Sequence, residues 1–286
     1  MDEITIIQFV NAISYSMILI LGAIGLSIIF GLMGVINMAH GELFMLGAYT
    51  AVIAQKLGMN LWIGILFSPI FVGIVGLALE VSIIRRFYTR PFVTLVATWG
   101  ISIIFRQLIK MLFGPGHQII RNPLAGSLDL FGIAYPKYRL LIMLITGIIL
   151  IFLFVFFHKT PFGLKCRAII QNRDMSTALG INVGDIDRWT FSIGAALAGM
   201  AGAIMTPLIT INPEMGLPFL SQSFLVVILG GVGSLFGLIG GAVLVSCCRF
   251  FLSFFFRLTT AQIFVFLMAI ILIRIRPQGL FGKKIA

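Results

Sequence analysis

The chain has 286 residues, of which 60% are hydrophobic and 10% charged, and its formal net charge is +11. A soluble globular protein needs roughly a quarter of its residues charged, so this composition excludes that class and predicts a polytopic membrane protein. Because a helix needs about 20 apolar residues to cross the hydrocarbon layer, we expect one all-α transmembrane bundle over residues 1–286, with about eight to nine membrane segments and no sizeable soluble domain.

The excess of basic residues raises the question of a nucleic-acid partner. These residues lie at the ends of apolar segments and not in one patch, so the positive-inside rule of membrane proteins accounts for the charge. The three histidines lie in separate segments, and the three cysteines are Cys166 and the adjacent Cys247 and Cys248. We therefore expect neither a metal site nor a disulfide framework.

The first apolar region is interrupted by polar residues. Residues 4–35 are nearly all apolar, whereas the following apolar segment, 43–54, is too short to cross a membrane unaided. Between them lie the glycines and polar residues Gly34, Asn37, His40, Gly41 and Glu42. This pattern predicts a broken or re-entrant helix. Irregular backbone at membrane depth is tolerated only where protein or a water-filled cavity covers it, so the break is predicted to line a pathway.

His40 and Glu42 are the notable titratable residues of this break. They are two residues apart, so on a helix they would face different directions, which disfavours a paired acid–base site. Two compatible interpretations remain: the side chains stabilise the break by hydrogen bonds to free backbone groups, or they line a translocation route.

Apolar runs at residues 61–84, 92–113 and 138–157 predict three further spans. At the end of the first run, Glu80 is expected to pair with Arg85 or Arg86.

Arg106 lies inside the second of these runs. It could extend to the membrane surface, pair with an external acid such as Glu214, or face a pathway, and extension to the surface is the simplest interpretation.

The longest polar interruption is the loop at 158–188. Within it, Asn172 is predicted to cap a short helix, Asp174 to lie in its first turn and Gly180 to end it after about two turns. One face of this helix is apolar, formed at spacings i, i+3 and i+4 by Met175, Ala178 and Leu179. We interpret the helix as a docking element for a cytoplasmic partner; the alternative is a solvated loop that joins two spans.

The last part of the chain contains a second interrupted region. Residues 189–211 repeat small side chains at i, i+4, which predicts a central helix. The apolar segment 219–229 is short and ends at a second predicted break formed by Gly230, Gly231 and Gly233. Paired interrupted segments indicate a substrate route in transporters built from repeats. Residues 238–256 and 262–275 complete the bundle.

Loop charge predicts the orientation of the bundle. The turn at 85–90, the loop at 158–188 and the C-terminal tail together hold most of the lysine and arginine residues, so this side is predicted to be cytoplasmic. The N-terminus is then periplasmic and the C-terminus cytoplasmic.

The sequence contains no GxxxxGK[ST] phosphate-binding motif. We therefore expect that this chain binds no ATP and no other cofactor, is not an enzyme, and leaves any ATP hydrolysis to partner subunits.

Several segments together resemble a permease subunit of the ABC importers for branched-chain amino acids and urea. They are VINMAHGELFMLGAY, ATWGISIIFRQ, FGPG, IIQNRDMSTALGI, FSIGAALAGMAG, VVILGGVGSLFG and RPQGLFG. The resemblance implies an all-helical inner-membrane subunit whose partners are a second homologous permease, two cytoplasmic ATPases and a periplasmic solute-binding protein. It also implies that the ATPase-coupling helix is formed by Arg173, Asp174, Met175, Ala178, Leu179 and Gly180.

Four of these segments, ATWGIS, FGPG, QNRDM and INMAHGE, look more like the urea-type permease. Urea or a short amide is therefore the first expected substrate, a branched-chain amino acid is the alternative, and a passive urea or amide channel is a lesser alternative. The predicted pathway is lined by Asn37, His40, Glu42, Thr98, Ser102 and Gln107. A proton-coupled carrier that uses His40 and Glu42 is a further alternative.

Overall fold

The computed structural model describes residues 3–88, 90–130, 133–276 and 279–280. The described part of the chain forms eleven α-helices, which agrees with the predicted all-α membrane class. The helices are α1 Glu3–Met33, α2 His40–Lys56, α3 Leu61–Ser82, α4 Pro91–Phe113, α5 Lys137–Lys159, α6 Pro161–Gln171, α7 Arg173–Ala178, α8 Val183–Met205, α9 Gly216–Gly230, α10 Leu235–Ser253 and α11 Leu258–Ile275. A short 3-10 helix, Ile84–Phe87, follows α3. Strands β1 Ser127–Leu130 and β2 Ile133–Pro136 form an antiparallel hairpin in which Ser127 pairs with Pro136.

Five helices, α1, α3, α4, α5 and α10, are long and apolar enough to cross a membrane. Helices α2 and α9 have 17 and 15 residues, so they would span about 25 and 23 Å, less than the hydrocarbon thickness of about 30 Å. The chain is thus a multi-pass membrane protein, whereas the count of eight to nine segments stays a prediction.

Helix α8 lies at the centre of the bundle, as its small residues predict, and packs against α1, α2 and α3. Its glycines allow backbone contact: a Cβ added at Gly47 of α2 would lie 1.9 Å from the carbonyl oxygen of Gly199. A Cβ at Gly25 of α1 would lie 2.2 Å from the carbonyl oxygen of Gly194. Close approach of this kind holds membrane helices together by dispersion forces.

The first break lies between α1 and α2. Helix α1 ends at Met33, and Gly34 takes a left-handed conformation with φ +64°. His40 Nε2 lies 3.1 Å from the carbonyl oxygen of Gly22, so the chain runs back alongside α1 after Gly34. Gly22 lies about 16 Å before the end of α1, and the six residues 34–39 are long enough to cover that distance when extended. Helix α2 therefore begins near the middle of the bundle.

Gly41 is not part of this break. It lies in the first turn of α2, where a Cβ would be 2.3 Å from the carbonyl oxygen of Gly216. The prediction that Gly41 interrupts the helix is wrong, because the residue instead allows α2 to contact the start of α9.

The second break lies between α9 and α10. Gly231 and Gly233 have φ values of +102° and +78°, and the Ser234 hydroxyl caps α10 by accepting a hydrogen bond from Gly237 N at 3.0 Å. Gly230 is the last residue of α9, so it lies beside the break and not in it. A Cβ at Gly31 of α1 would lie 2.5 Å from Gly233 Cα, so the end of α1 packs against the second break.

The segments predicted to share one side of the membrane lie at one end of the bundle. Leu32 at the end of α1 packs with Cys166 of α6 and Ile186 of α8. Leu280 N donates to the carbonyl oxygen of Leu229 at the end of α9. The last basic residues of the tail lie outside the described residues, and the assignment of this end to the cytoplasm stays a prediction.

Candidate functional site

The candidate pathway is built around a buried carboxylate. Glu42 of α2 is fully buried, and its Oε1 accepts a hydrogen bond of 2.8 Å from the Ser102 hydroxyl. Arg106 Nε lies 3.3 Å from the same oxygen. Ser102 and Arg106 are four residues apart on α4, so one face of that helix presents both groups. A buried carboxylate needs such partners, because an unpaired charge in an apolar interior is costly.

Side chains of the break and of α4 accept hydrogen bonds from the irregular backbone before α2. Asn37 Oδ1 accepts from Ala39 N at 3.0 Å, and the Thr98 hydroxyl accepts from Met38 N at 3.1 Å. Thr98 lies one turn before Ser102 on α4. Backbone donors freed by a helix break need partners of this kind, so Asn37 and Thr98 hold the break against α4.

Three buried polar atoms near Glu42 lack a hydrogen-bond partner within the described part of the chain. They are Asn37 Nδ2, His40 Nδ1 and Glu42 Oε2. His40 Nε2 faces a carbonyl oxygen of α1, so this nitrogen carries the hydrogen of the neutral ring and Nδ1 is the acceptor. Buried polar atoms without partners are rare in native interiors. A donor amide, an imidazole nitrogen and a carboxylate oxygen of the break and the first turn of α2 therefore have unused hydrogen-bonding capacity within the described structure.

Two residues of α4 lie differently from what we expected. Gln107 is exposed and does not join Thr98, Ser102 and Arg106, because one residue along a helix turns the side chain by about 100°; its place on the pathway stays a prediction. Arg106 does not extend to the membrane surface; its side chain is 19% exposed and pairs with Glu42.

The external acid considered for Arg106 has another partner. Lys110 Nζ donates to Glu214 Oε1 at 2.8 Å, and this hydrogen bond lowers the pKa of the Glu214 carboxyl below its usual value. Lys110 lies one turn beyond Arg106 on α4, closer to the end of the helix.

The predicted docking helix is α7. Asn172 Oδ1 accepts from Met175 N at 2.9 Å and caps the helix, and Gly180 ends it with φ +82°. The side chains of Met175 and Leu179 are 57% and 75% exposed, and Ala178 and Asp174 are also exposed. Helix α7 therefore presents an apolar face that the described residues of this chain leave uncovered.

Arg173 does not belong to that exposed face. Its guanidinium donates a hydrogen bond to the carboxylate of Asp187 on α8, which is fully buried, and lies 5.7 Å from the centre of the Tyr88 ring. The Tyr88 hydroxyl in turn donates to Glu80 Oε1 at 2.5 Å. We call Glu80, Tyr88, Arg173 and Asp187 the anchor network, because it ties α7 to α3 and α8.

The anchor network corrects the expectation for Glu80. No ion pair between Glu80 and Arg85 or Arg86 is present in the described structure, and Glu80 is fully buried. Burial raises the pKa of the Tyr88 hydroxyl above its usual value, and the hydrogen bond to Glu80 acts in the same direction. The hydroxyl therefore remains a proton donor to Glu80 at physiological pH.

Sequence reasoning missed Asp187 and Tyr88 and misplaced Arg106. The spacing of Thr98, Ser102 and Arg106 at i, i+4 is a signal that could have placed the arginine on the polar face of α4. No comparable signal connects Arg173 with Asp187, because the two residues belong to different helices joined by a turn.

Comparisons with known proteins find relatives over nearly the whole chain. The family described as "Branched-chain amino acid transport system / permease component" matches residues 8–275. The permease protein BraD of Pseudomonas aeruginosa is 28% identical over 96% of this chain and 95% of its own length. LivH of Escherichia coli K12 is 26% identical over 96% and 95%. LivM of the same strain is 25% identical over 84% of this chain and 62% of its own length.

These three relatives are all named as permease proteins of high-affinity branched-chain amino acid transport systems. The comparisons therefore favour a branched-chain amino acid, the alternative substrate, over urea. They give no support to the interpretation that the chain is a urea-type permease. No solved structure matches the chain significantly. Because the family match spans nearly the whole sequence, the chain belongs to the branched-chain amino acid transport permease family.

Proposed function

We propose that this protein is a permease subunit of an ATP-driven importer that carries branched-chain amino acids across the bacterial inner membrane. The observation that carries the proposal is α7, whose apolar face is exposed at the end of the bundle predicted to be cytoplasmic. Its proposed partners are two cytoplasmic ATPases, a second homologous permease and a periplasmic solute-binding protein.

The contacts of α7 support transmission of force from an ATPase. Arg173 joins α7 to Asp187 near the start of α8, and α8 packs by backbone contact on α2 at Gly47. Helix α2 begins two residues before Glu42. A displacement of α7 therefore has a continuous packed route to the candidate pathway, in a bundle with little room for deformation.

The match to two differently named permeases of one organism supports a second homologous subunit. LivH and LivM of Escherichia coli K12 each align with most of this chain. We therefore include a second, homologous permease in the proposed complex. The solute route would then lie between or within two related bundles.

The buried charges support an amino acid more than urea. Glu42 and Arg106 carry opposite charges 3.3 Å apart, and a zwitterion needs a counter-charge for each of its groups. The ammonium of the solute would approach Glu42 Oε2, and its carboxylate would approach Arg106 and Asn37 Nδ2. Urea is neutral and needs no such pair.

Uptake by the reconstituted complex tests the proposal. We expect ATP-dependent uptake of labelled leucine and no uptake of labelled urea. Replacing both Met175 and Leu179 by Glu is expected to abolish uptake and ATPase association with normal membrane insertion. The matched control is Leu128→Glu, which changes a 48% exposed leucine in the β-hairpin and is expected to leave uptake unchanged.

Other outcomes separate the alternatives. Flux of urea through the purified chain alone in liposomes would indicate a passive channel. Uptake that follows a pH gradient and persists without ATP would indicate a proton-coupled carrier. Normal ATP-driven uptake by the Met175→Glu/Leu179→Glu variant would contradict the docking role of α7.

A further inference from the structure

A second polar site lies at the end of the bundle opposite α7, between α1, α5 and α10. It is a cavity of about 340 Å³, large enough for a small-molecule group. Its lining residues are Asn11, Ser14, Tyr15, Ile18, Arg139, Arg249, Phe250 and Ser253. Among the described residues, this lining includes two arginines and no carboxylate.

Within the part of the chain that the structure describes, the two arginines have few hydrogen-bond partners. Arg139 donates to Asn11 Oδ1 at 3.1 Å. Arg249 donates to the Tyr15 hydroxyl and lies 4.3 Å from the centre of the Tyr15 ring. Each guanidinium has five N–H donors, and neither forms a salt bridge among the described residues. An anion bound between these two cations would lower their mutual repulsion.

Ser14 is an independent indication of a ligand. Its side chain lines the cavity and is only 1% exposed, yet its hydroxyl has no hydrogen-bond partner within the described structure. A buried hydroxyl without a partner is costly. An oxygen-rich anion in the cavity would satisfy this hydroxyl together with the free guanidinium N–H groups.

The depth of the cavity indicates which anion it binds. Arg139 is the third residue of α5 and Arg249 is four residues from the end of α10. Both therefore lie within about 6 Å of a helix end, at the level where the phosphates of the lipid headgroups meet the hydrocarbon.

We propose that this cavity binds the phosphate of an anionic phospholipid from the leaflet opposite α7. Arg139 and Arg249 hold the phosphate oxygens, and Ser14 donates a further hydrogen bond. A transported amino acid fits less well, because its ammonium group would lie among arginines with no carboxylate to neutralise it. Arginine suits this role, since its planar fork binds phosphate through paired hydrogen bonds.

Native mass spectrometry of the purified full chain with added lipid tests the proposal. We expect the chain to retain phosphatidylglycerol in preference to phosphatidylcholine. Replacing Arg139 and Arg249 by Gln is expected to weaken phosphatidylglycerol binding by about tenfold for each arginine. The matched control replaces Arg121 and Arg257 by Gln, since both are exposed and neither lines the cavity.

Lysine variants separate a loss of charge from a loss of fold. The Arg139→Lys/Arg249→Lys chain keeps both charges and is expected to retain more phosphatidylglycerol than the glutamine chain. Equal loss in both double variants, or equal binding of the two lipids by the wild type, would overturn the proposal.

Thermal unfolding with added ligands identifies the source of the anion. Phosphatidylglycerol is expected to raise the unfolding midpoint of the delipidated chain, because a ligand that binds only the folded state stabilises it. Inorganic phosphate and leucine are expected to leave the midpoint unchanged. Stabilisation by either of them in place of the lipid would contradict the assignment.

Discussion

Replacing Arg173 by Ala tests how α7 is fixed to the bundle. In the wild type, the guanidinium of Arg173 pairs with the fully buried carboxylate of Asp187 and stacks near the Tyr88 ring. The Arg173 side chain itself is 40% exposed. The substitution therefore leaves a charge at Asp187 with no cationic partner and removes the main polar link between α7 and α8.

The expected cost follows from this asymmetry of burial. Removing one partner of a fully buried pair costs about 3–5 kcal/mol, whereas an exposed pair contributes about 1 kcal/mol or less. Because solvent reaches Arg173 but not Asp187, we expect a loss of about 2–3 kcal/mol. The double variant Arg173→Ala/Asp187→Asn removes the charge of the unpaired carboxylate. It should recover at least about 1 kcal/mol of the lost free energy of unfolding.

Denaturant unfolding of the two variants and of Asp187→Asn alone measures these free energies in a double-mutant cycle. Leucine uptake measured in parallel is expected to fall in Arg173→Ala even where the chain inserts normally. Lys165→Ala, which removes an exposed basic residue of α6, is the matched control. If the Arg173 and Asp187 effects add without interaction, the two residues do not act as a pair and the reasoning fails.

Three further predictions concern other parts of the molecule. Glu42→Gln keeps the shape of the buried side chain but removes its charge, so leucine uptake should fall sharply with normal insertion; unchanged uptake would remove Glu42 from the solute route. A methyl group at Gly47 would lie 1.9 Å from a carbonyl oxygen of α8, so Gly47→Ala should destabilise the bundle by about 1–3 kcal/mol in thermal unfolding. Gly100→Ala, which meets nothing within 4 Å, should not destabilise it, and equal effects would contradict the packing account. Burial raises the pKa of the Cys166 thiol to about 11. In a variant whose other two cysteines are changed to serine, the folded chain should therefore resist maleimide at pH 7 and react only after denaturation. Rapid labelling of the folded chain would show that α6 is not packed as described.

Local rules predicted much of the architecture from the sequence. The small residues of α8 indicated its central position, because only glycine allows the backbone contact observed at Gly199. The capping residue Asn172 and the left-handed Gly180 bounded α7 because both act on neighbouring backbone groups. The ends of α7 depend on interactions within a few residues of the chain, and the small residues of α8 repeat at a spacing that is visible in the sequence.

The contacts that build the candidate site depend on how separate helices meet. Nothing near Arg106 in the sequence indicates that Glu42 is its partner, since α2 and α4 come together only after the chain reverses along α1. The same is true of Arg173, which the sequence assigned to the ATPase-coupling helix without indicating that it pairs with Asp187. Gly41 was assigned to the break because its role in packing against Gly216 has no local signature.

Short sequence motifs also did not identify the substrate. Four segments suggested a urea-type permease, whereas comparison over the full length favours branched-chain amino acids. Motifs such as INMAHGE shape the break and its packing, so they identify the family better than they identify the solute.

Cross-linking at α7 tests the central claim most directly. With the native cysteines replaced by serine, Met175→Cys is expected to cross-link to the ATPase subunit of the assembled complex and to stop ATP-driven leucine uptake once cross-linked. Leu128→Cys at the opposite end is expected to form no such link and to leave uptake intact. ATP-driven uptake without any cross-link at Met175, or uptake that continues after the cross-link forms, would contradict the proposal that an ATPase moves this permease through α7.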